Sequence, residues 1–188
     1  MRILAVSGSL RAGSHNTSLV RAAIDAAPQG VEVELFDPAG IADLPLYDQD
    51  LDTGDVPQSV SRLREEWGKA DAILFATPEF NGSVPGGLKN AVDWASRPRL
   101  EAALTNKTVA VIGASPGQFG AMWAQADLRK ILGVAGARVV ADELPVTRAH
   151  EKFDAEGRLM DSELHERLRL LLGTLAAEAI PAGVGIAA

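Results

Sequence analysis

The chain has 188 residues, of which 47% are hydrophobic and 23% charged, with a formal net charge of −7 and no cysteine. This length suits one compact domain, and an acidic charge without long single-sign blocks argues against a nucleic-acid partner, which needs a clustered basic face. Without cysteine, disulfides, thiolate catalysis, cysteine-held iron–sulfur clusters and zinc ribbons are excluded.

Short apolar runs rich in β-branched residues predict the strands. They cover residues 2–6, 31–36, 72–77, 108–114 and 137–141. Several are apolar almost throughout, which is typical of strands buried on both faces of a parallel sheet. No stretch is long enough to cross a membrane, and the apolar start runs straight into a loop instead of forming a secretory signal. We therefore expect a cytoplasmic protein.

Amphipathic patterns between the strand-like runs predict the helices. They cover residues 16–27, 56–70, 85–95, 119–135 and 161–180. Strict alternation of strand and helix predicts an α/β domain, with a doubly wound five-stranded parallel sheet of order 2-1-3-4-5 and helices on both faces. We expect one domain over residues 1–180 and a C-terminal tail over residues 181–188.

The two most unusual loops follow the first and third strands. In a sheet of order 2-1-3-4-5 the topological switch point lies between these strands, and ligands bind over their carboxyl ends. The first loop, "GSLRAGSHNTS" at residues 8–18, offers flexible glycines, hydroxyl donors and Arg11 at the start of a helix. This composition favours an anion, and a terminal monophosphate suits it best.

Other phosphate motifs fit the first loop less well. The spacing from Gly8 to Gly13 is that of a P-loop, but Ser14-His15 stands where Lys-Ser/Thr is required. The dinucleotide fingerprint Gly-x-Gly-x-x-Gly is also absent. An alternative is a capped helix after a flexible turn, with His15 as a solvated loop residue.

The second loop, "TPEFNGSVPGGLKN" at residues 77–90, is suited to a flat ring with a polar edge, or else is a plain turn before a helix.

Two long motifs carry a resemblance to a known family. "GSLRAGSHN" at residues 8–16 and "TPEFNGSVPGGLKNAVDW" at residues 77–94 resemble the NADPH-dependent FMN reductase family, in particular its flavodoxin-like chromate and quinone reductases. The likeness extends to "LPLYDQDLD" at residues 44–52 and "GASPGQFG" at residues 113–120. It implies that the chain binds FMN as its cofactor, with NADPH or NADH as hydride donor.

The resemblance also implies the binding residues. The FMN phosphate would be held by Ser9, Arg11, Ser14, Asn16 and Thr17. The isoalloxazine ring would be contacted by Pro78, Glu79, Phe80, Asn81 and Gly82, with Ser115 and Gly117 nearby. The family usually has tyrosine where this chain has Phe80, so ring packing is kept and a hydroxyl contact is lost. Relatives are commonly homodimers or homotetramers, and residues 46–50 are the candidate to reach a neighbour's site.

The implied activity is an oxidoreductase reaction. A hydride passes from the nicotinamide to the flavin, and electrons then pass to a small acceptor such as a quinone, chromate, an azo dye or free flavin. No catalytic acid or base is required. The alternative from another class is a flavodoxin-like electron carrier that docks protein partners and does not react with NAD(P)H. A third is a nucleotide-binding regulator without turnover.

Four further patterns indicate no additional activity. "GASPG" at residues 113–117 matches a hydrolase elbow around Ser115, but Pro116 has no N–H for the oxyanion. The acidic residues 48–55 lack the glycine and glutamate of a calcium loop, and the three histidines show no metal-ligand spacing. Trp67 and Trp94 occupy core positions, whereas Trp123 is placed to cover either a ligand or an interface.

Overall fold

A single parallel sheet forms the centre of the protein over residues 1–99 and 101–179, the part that the computed structural model describes. Its strands are β1 (Arg2–Ser7), β2 (Glu32–Leu35), β3 (Ala72–Ala76), β4 (Thr108–Ala114) and β5 (Arg138–Val146). They lie in the order β2-β1-β3-β4-β5, and every neighbouring pair is parallel. The predicted flavodoxin-like order is therefore confirmed.

Helices connect the strands by crossovers that cover both faces of the sheet. They are α1 (His15–Asp25), α2 (Ala39–Ala42), α3 (Gln58–Lys69), α4 (Gly86–Ala95), α5 (Met122–Val134) and α6 (Ser162–Glu178), with short 3₁₀ turns at Gln49–Leu51 and Ala149–Glu151. The five predicted helices are confirmed to within three residues at each described end. The predicted end at Ile180 and the predicted tail 181–188 lie outside the described residues. The helix α2 was not predicted, because four residues are too few for a helical period.

The core is divided into two layers by the sheet. Alternate residues of each central strand point to opposite faces: Ile3 and Ala5 pack with α1 and α6, whereas Leu4 and Val6 pack with α3, α4 and α5. The second layer holds Trp67 and Trp94, both fully buried as the sequence predicts.

Aromatic contacts strengthen the second layer. The Trp67 ring meets Phe75 edge-on at 5.2 Å and Phe36 at 6.2 Å, and such a pair adds about 0.5–1.5 kcal/mol beyond its buried area. The Trp94 indole N–H donates to the Pro45 carbonyl at 2.9 Å. The core therefore positions the loops above it rigidly.

The last strand is longer than predicted. The sequence predicts a strand at residues 137–141, but β5 continues to Val146 after an irregularity in its pairing with β4. Residues 141–143 are exposed, because β5 is an edge strand and has no neighbour on one side. Polar residues and a proline are tolerated at such an edge. Because they interrupt the apolar run, the sequence pattern did not predict the second half of β5.

Candidate functional site

Three loops leave the sheet at the carboxyl ends of its central strands. The first N–H of the β1 loop (residues 8–14), that of Gly8, donates to the Ala76 carbonyl at 2.8 Å. The first N–H of the β4 loop (residues 115–121), that of Ser115, donates to the Val146 carbonyl at 3.1 Å. These bonds continue the strand ladder, so the β1, β3 (residues 77–85) and β4 loops begin along one edge of the sheet, at the switch point.

Ser14 caps the first helix and keeps a donor for a ligand. Its Oγ accepts hydrogen bonds from the N–H groups of Asn16 at 3.2 Å and Thr17 at 3.4 Å. A hydroxyl that accepts two bonds still has its own O–H to donate. The Ser14 O–H is therefore available to an anion at the positive end of α1.

A second pair of hydroxyls fixes the start of the β1 loop. The Oγ atoms of Ser7 and Thr17 lie 2.9 Å apart in a hydrogen bond, and the Ser9 N–H donates to the Ser7 Oγ at 3.4 Å. Ser7 was not predicted, because a serine at the end of an apolar strand carries no distinct signal. It joins two predicted residues, Ser9 and Thr17, in one hydrogen-bonded group.

Arg11 and Gly13 form the exposed tip of the β1 loop. Gly13 has φ of 66°, in the left-handed region where glycine is strongly favoured. Among the residues that the structure describes, no carboxylate forms an ion pair with the exposed Arg11. Its guanidinium, the Ser14 O–H and the helix dipole together fit a phosphate group.

The side chain of Asn16 is hydrogen-bonded to the backbone of Ala114. Its Nδ2 donates to the Ala114 carbonyl at 3.0 Å, and its Oδ1 accepts from the Ala114 N–H at 2.9 Å. Asn16 is buried, and these paired bonds fasten the first turn of α1 to the end of β4. The structure therefore places the predicted phosphate ligand Asn16 in a structural contact between the β1 and β4 loops.

His15 lies beside the β1 loop in a cationic and partly apolar environment. Its ring stacks on Phe153, with centroids 6.1 Å apart and planes at 23°. Burial, then the positive charges of Arg11 and His150, hold the pKa of His15 below its usual range. His15 therefore favours the neutral state when the site holds no anion.

The lowered pKa of His15 predicts a pH dependence of stability. The His15 side chain binds a proton at a higher pH in the unfolded chain than in the folded protein. The contribution of His15 to the free energy of unfolding is therefore present above about pH 6.5 and is lost as the pH falls below this value. We expect His15→Gln to flatten the fall in unfolding free energy between about pH 7.5 and 5.5, measured by urea denaturation without added ligand. Gln29→Ala, in an exposed turn, removes no titratable group; it is the control and keeps the native profile. Parallel profiles for His15→Gln and the native protein would contradict this role.

The β3 loop contains a tight two-residue turn. Phe80 and Ser83 exchange both backbone hydrogen bonds at 3.1 Å, while Asn81 and Gly82 between them have φ of 53° and 74°. Positive φ at both central positions defines a type I′ turn, for which Asn-Gly is the preferred pair. The turn presents Phe80, which is 58% exposed, at the rim of the site.

Glu79 connects the β3 loop to the first turn of α5. Its Oε2 accepts from the N–H groups of Trp123 and Ala124, each at 3.1 Å. The helix has no cap of its own, because Ala121 stands at its N-cap position in a left-handed conformation. The carboxylate of Glu79 therefore takes the place of a local N-cap. Its negative charge is stabilised by the positive end of the helix dipole. The sequence did not reveal this role.

The β4 loop is held by the segment that follows β5. The Ser115 carbonyl accepts from the Ala149 N–H at 3.0 Å, and the Gly117 carbonyl accepts from the Arg148 N–H at 2.9 Å. Gly117 is exposed and Ser115 half-buried. Both predicted residues thus lie on the same sheet edge as the β1 and β3 loops, with their carbonyls already bonded.

Gln125 is a buried site neighbour that sequence reasoning missed. Its Nε2 donates to the Gly120 carbonyl at 2.8 Å, and its Oε1 has no hydrogen-bond partner among the described residues. The adjacent Gly113 is required, because a Cβ there would lie 2.8 Å from the Thr77 carbonyl oxygen. A polar residue within an amphipathic helix gives no sequence signal for such a position.

Known proteins resemble this chain in sequence. The family model for NADPH-dependent FMN reductases matches residues 1–151. The chain is 43% identical over 176 residues to an NAD(P)H-dependent FMN reductase of Pseudomonas aeruginosa, covering 93% of each chain. It is 41% identical over 184 residues to an NADPH:quinone oxidoreductase of Arabidopsis thaliana, covering 94% of this chain and 91% of that one.

A solved structure supports the same assignment. FerB of Paracoccus denitrificans, a flavoenzyme NAD(P)H:acceptor oxidoreductase, superimposes with a TM-score of 0.84 at 34% identity. The match covers 95% of this chain and 99% of that one. Fold, site loops and sequence relatives agree: the chain belongs to the NADPH-dependent FMN reductase family and is an oxidoreductase that uses FMN and a nicotinamide donor.

Proposed function

We propose that the chain transfers electrons from NAD(P)H to small acceptors, with quinones as the main class and chromate, azo dyes and free flavin as further ones. The observation that carries the proposal is the convergence of an anion-binding helix start and a glycine-containing turn at one sheet edge. The quinone preference is supported by the name of the Arabidopsis relative.

The β1 loop is proposed to hold the phosphate of FMN. Arg11 supplies charge and a guanidinium fork, Ser14 supplies its O–H, and Ser9 and Thr17 complete the loop with Ser7. Asn16 contributes by positioning, through its bonds to Ala114.

The β3 and β4 loops are proposed to hold the isoalloxazine ring. Pro78, Asn81 and Gly82 offer backbone and a short turn that approach a flat ring closely, with Phe80 at the rim. Glu79 keeps the β3 loop against α5, and Ser115 and Gly117 line the other side. When bound, FMN supplies the two-electron carrier between donor and acceptor. The protein binds FMN, orients it and shields it from solvent. No side chain is assigned as a proton donor.

Removing the guanidinium tests the phosphate site. We expect Arg11→Ala to weaken FMN binding by about 1–3 kcal/mol, or roughly 5- to 150-fold in Kd, because a charge-assisted contact is lost. Isothermal titration calorimetry with FMN measures this. Arg21→Ala removes the same charge from an exposed position of α1 and is the matched control. Equal affinities for Arg11→Ala and Arg21→Ala would contradict the assignment.

An anaerobic spectrum tests the activity as a whole. The purified chain is loaded with FMN, freed of unbound flavin, and mixed first with NADPH and then with NADH. We expect the visible band of the bound flavin to bleach with at least one donor and to return when a quinone is added. A bound flavin that neither donor reduces would favour the electron carrier, and no flavin binding at all would mean that the β1 loop holds some other phosphate.

The proposal includes a homodimer or homotetramer, with residues 46–50 in contact with a neighbour. Leu46 is 83% exposed, although the segment is fixed: the Tyr47 N–H donates to the Asn90 Oδ1 at 2.8 Å, and the Asn90 Nδ2 donates to the Pro45 carbonyl at 2.9 Å. Analytical ultracentrifugation gives the oligomeric state.

The proposal also includes a cytoplasmic location, where the nicotinamide donor is available. No helix within residues 1–99 or 101–179 is long and apolar enough to cross a membrane. Cell fractionation with an antibody against the chain tests the location.

A further inference from the structure

Two aromatic side chains of the β4 loop and α5 are exposed beside the site. Phe119 is 54% and Trp123 48% exposed, whereas Trp67 and Trp94 are fully buried. The Phe119 and Trp123 rings touch, with centroids 4.8 Å apart and planes at 58°. Aromatic rings favour burial strongly, so a pair left in solvent at the edge of a site points to a ligand with an aromatic face. We call these residues the aromatic pair.

The aromatic pair lies between the two loops proposed to hold the flavin ring. Phe119 follows Gly117 by two residues in the β4 loop. The Trp123 N–H donates to the carboxylate of Glu79 in the β3 loop. One turn further along α5, the Asp127 Oδ2 accepts from the Ser83 Oγ at 2.7 Å. Trp123 and Asp127 share one face of the helix, so the side of α5 that carries Trp123 is the side fastened to the β3 loop.

The attachment makes the aromatic pair a fixed surface. Two side-chain contacts, from Glu79 and Ser83, hold the start of α5, and the β4 loop is bonded to the segment after β5. The neighbouring Met122 is 47% exposed and adds an apolar border. A backbone held in this way lowers the cost of ordering the two rings against a planar ligand.

We propose that the aromatic pair binds the ring of the electron acceptor and sets a preference for planar aromatic acceptors over small inorganic ones. This inference rests on the proposed function and names the residues that select its substrate. Stacking on Phe119 and Trp123 places an aromatic acceptor at the open edge between the β3 and β4 loops. A small inorganic ion gains nothing from the same surface.

Kinetics with two acceptors test the inference. Trp123→Ala, Phe119→Ala and the conservative Trp123→Phe are compared with the native enzyme at saturating NADPH, using 1,4-naphthoquinone and ferricyanide. We expect the ratio of kcat/KM for naphthoquinone to that for ferricyanide to fall about 10-fold in each alanine variant, mainly through KM, and to be largely restored in Trp123→Phe. Leu170→Ala, at an exposed position of α6, is the control and keeps the native ratio.

A binding measurement gives a readout independent of turnover. Without NAD(P)H, naphthoquinone should quench the tryptophan fluorescence of the FMN-loaded protein saturably, and Phe119→Ala should need an about 10-fold higher concentration. An unchanged acceptor ratio and an unchanged quenching curve in Phe119→Ala would overturn the inference. Dissociation of an oligomer by Trp123→Ala with an unchanged ratio would also overturn it, in favour of an interface. If NAD(P)H never reduces the flavin, the proposed function fails, and the quenching curve still tests the aromatic pair.

Discussion

Replacing Asn16 with alanine is expected to lower the free energy of unfolding by about 2–5 kcal/mol. The Asn16 amide satisfies both backbone groups of Ala114, at 2.9 and 3.0 Å. Asn16 is 3% and Ala114 3% exposed, so water does not readily replace the lost partners. Each buried backbone group left without a partner costs about 1–3 kcal/mol.

Urea denaturation followed by circular dichroism measures the effect of Asn16→Ala. Gln29→Ala, an amide removed from an exposed turn, is the control and should change stability by no more than about 0.5 kcal/mol. Asn16→Asp should also destabilise, because a carboxylate faces the Ala114 carbonyl without a hydrogen to donate. A loss for Asn16→Ala no larger than that for Gln29→Ala would show that the pairing with Ala114 contributes little.

Replacing Gly120 with alanine is expected to cost about 3–5 kcal/mol of unfolding free energy. Gly120 has φ of 57°, and a Cβ there would lie 2.7 Å from both the Pro145 carbonyl carbon and the Val146 nitrogen. These are backbone atoms of β5 and have no rotamer that relieves the clash. The β4 loop must therefore move away from β5, which displaces Ser115 and Gly117, the residues of this loop that we propose to line the flavin ring.

Thermal and urea unfolding of Gly120→Ala test this cost, and FMN titration tests the linked loss of the site. Gly133→Ala, within α5, is the control, because a Cβ at Gly133 would meet no atom of the described residues within 4 Å beyond its own helical turn, and its φ is ordinary. It is expected to stabilise the protein by about 0.5–1 kcal/mol, as alanine does within a helix. Equal stabilities of the two alanine variants would show that the β4 loop adjusts to the added methyl group.

The fold was predictable from the sequence where burial imposes a pattern. The strands β1, β3 and β4 are buried on both faces and therefore nearly continuous in apolar residues, and the long helices show a clear apolar stripe. The end of β5 was missed, because an edge strand exposes residues such as Asp142 and Glu143. Its pairing with β4 determines its length, and no local pattern encodes that pairing.

The meeting of the unusual loops at one sheet edge was predictable, and the side-chain contacts among them were not. Glycines, hydroxyls and Arg11 after the first strand indicate an anion site, and the chain order of the strands brings the second loop beside it. Two side chains act over long sequence separations that no local pattern reveals. Asn16 bonds to a residue 98 positions away, and Glu79 bonds to residues 44 and 45 positions away. Both residues stay predicted cofactor contacts, and the structure adds these bonds within the protein, which the sequence did not indicate.

Because Glu79 caps α5, hydrogen exchange at two amide protons depends on the contact between the β3 loop and this helix. The N–H groups of Trp123 and Ala124 are bonded only while the β3 loop stays against the helix. Their exchange with solvent deuterium is therefore limited by the opening of that loop rather than by fraying of a self-capped helix. A ligand that closes the β3 loop slows exchange at these two positions without touching them. Exchange at these two main-chain protons therefore reports whether the contact between the β3 loop and α5 is intact.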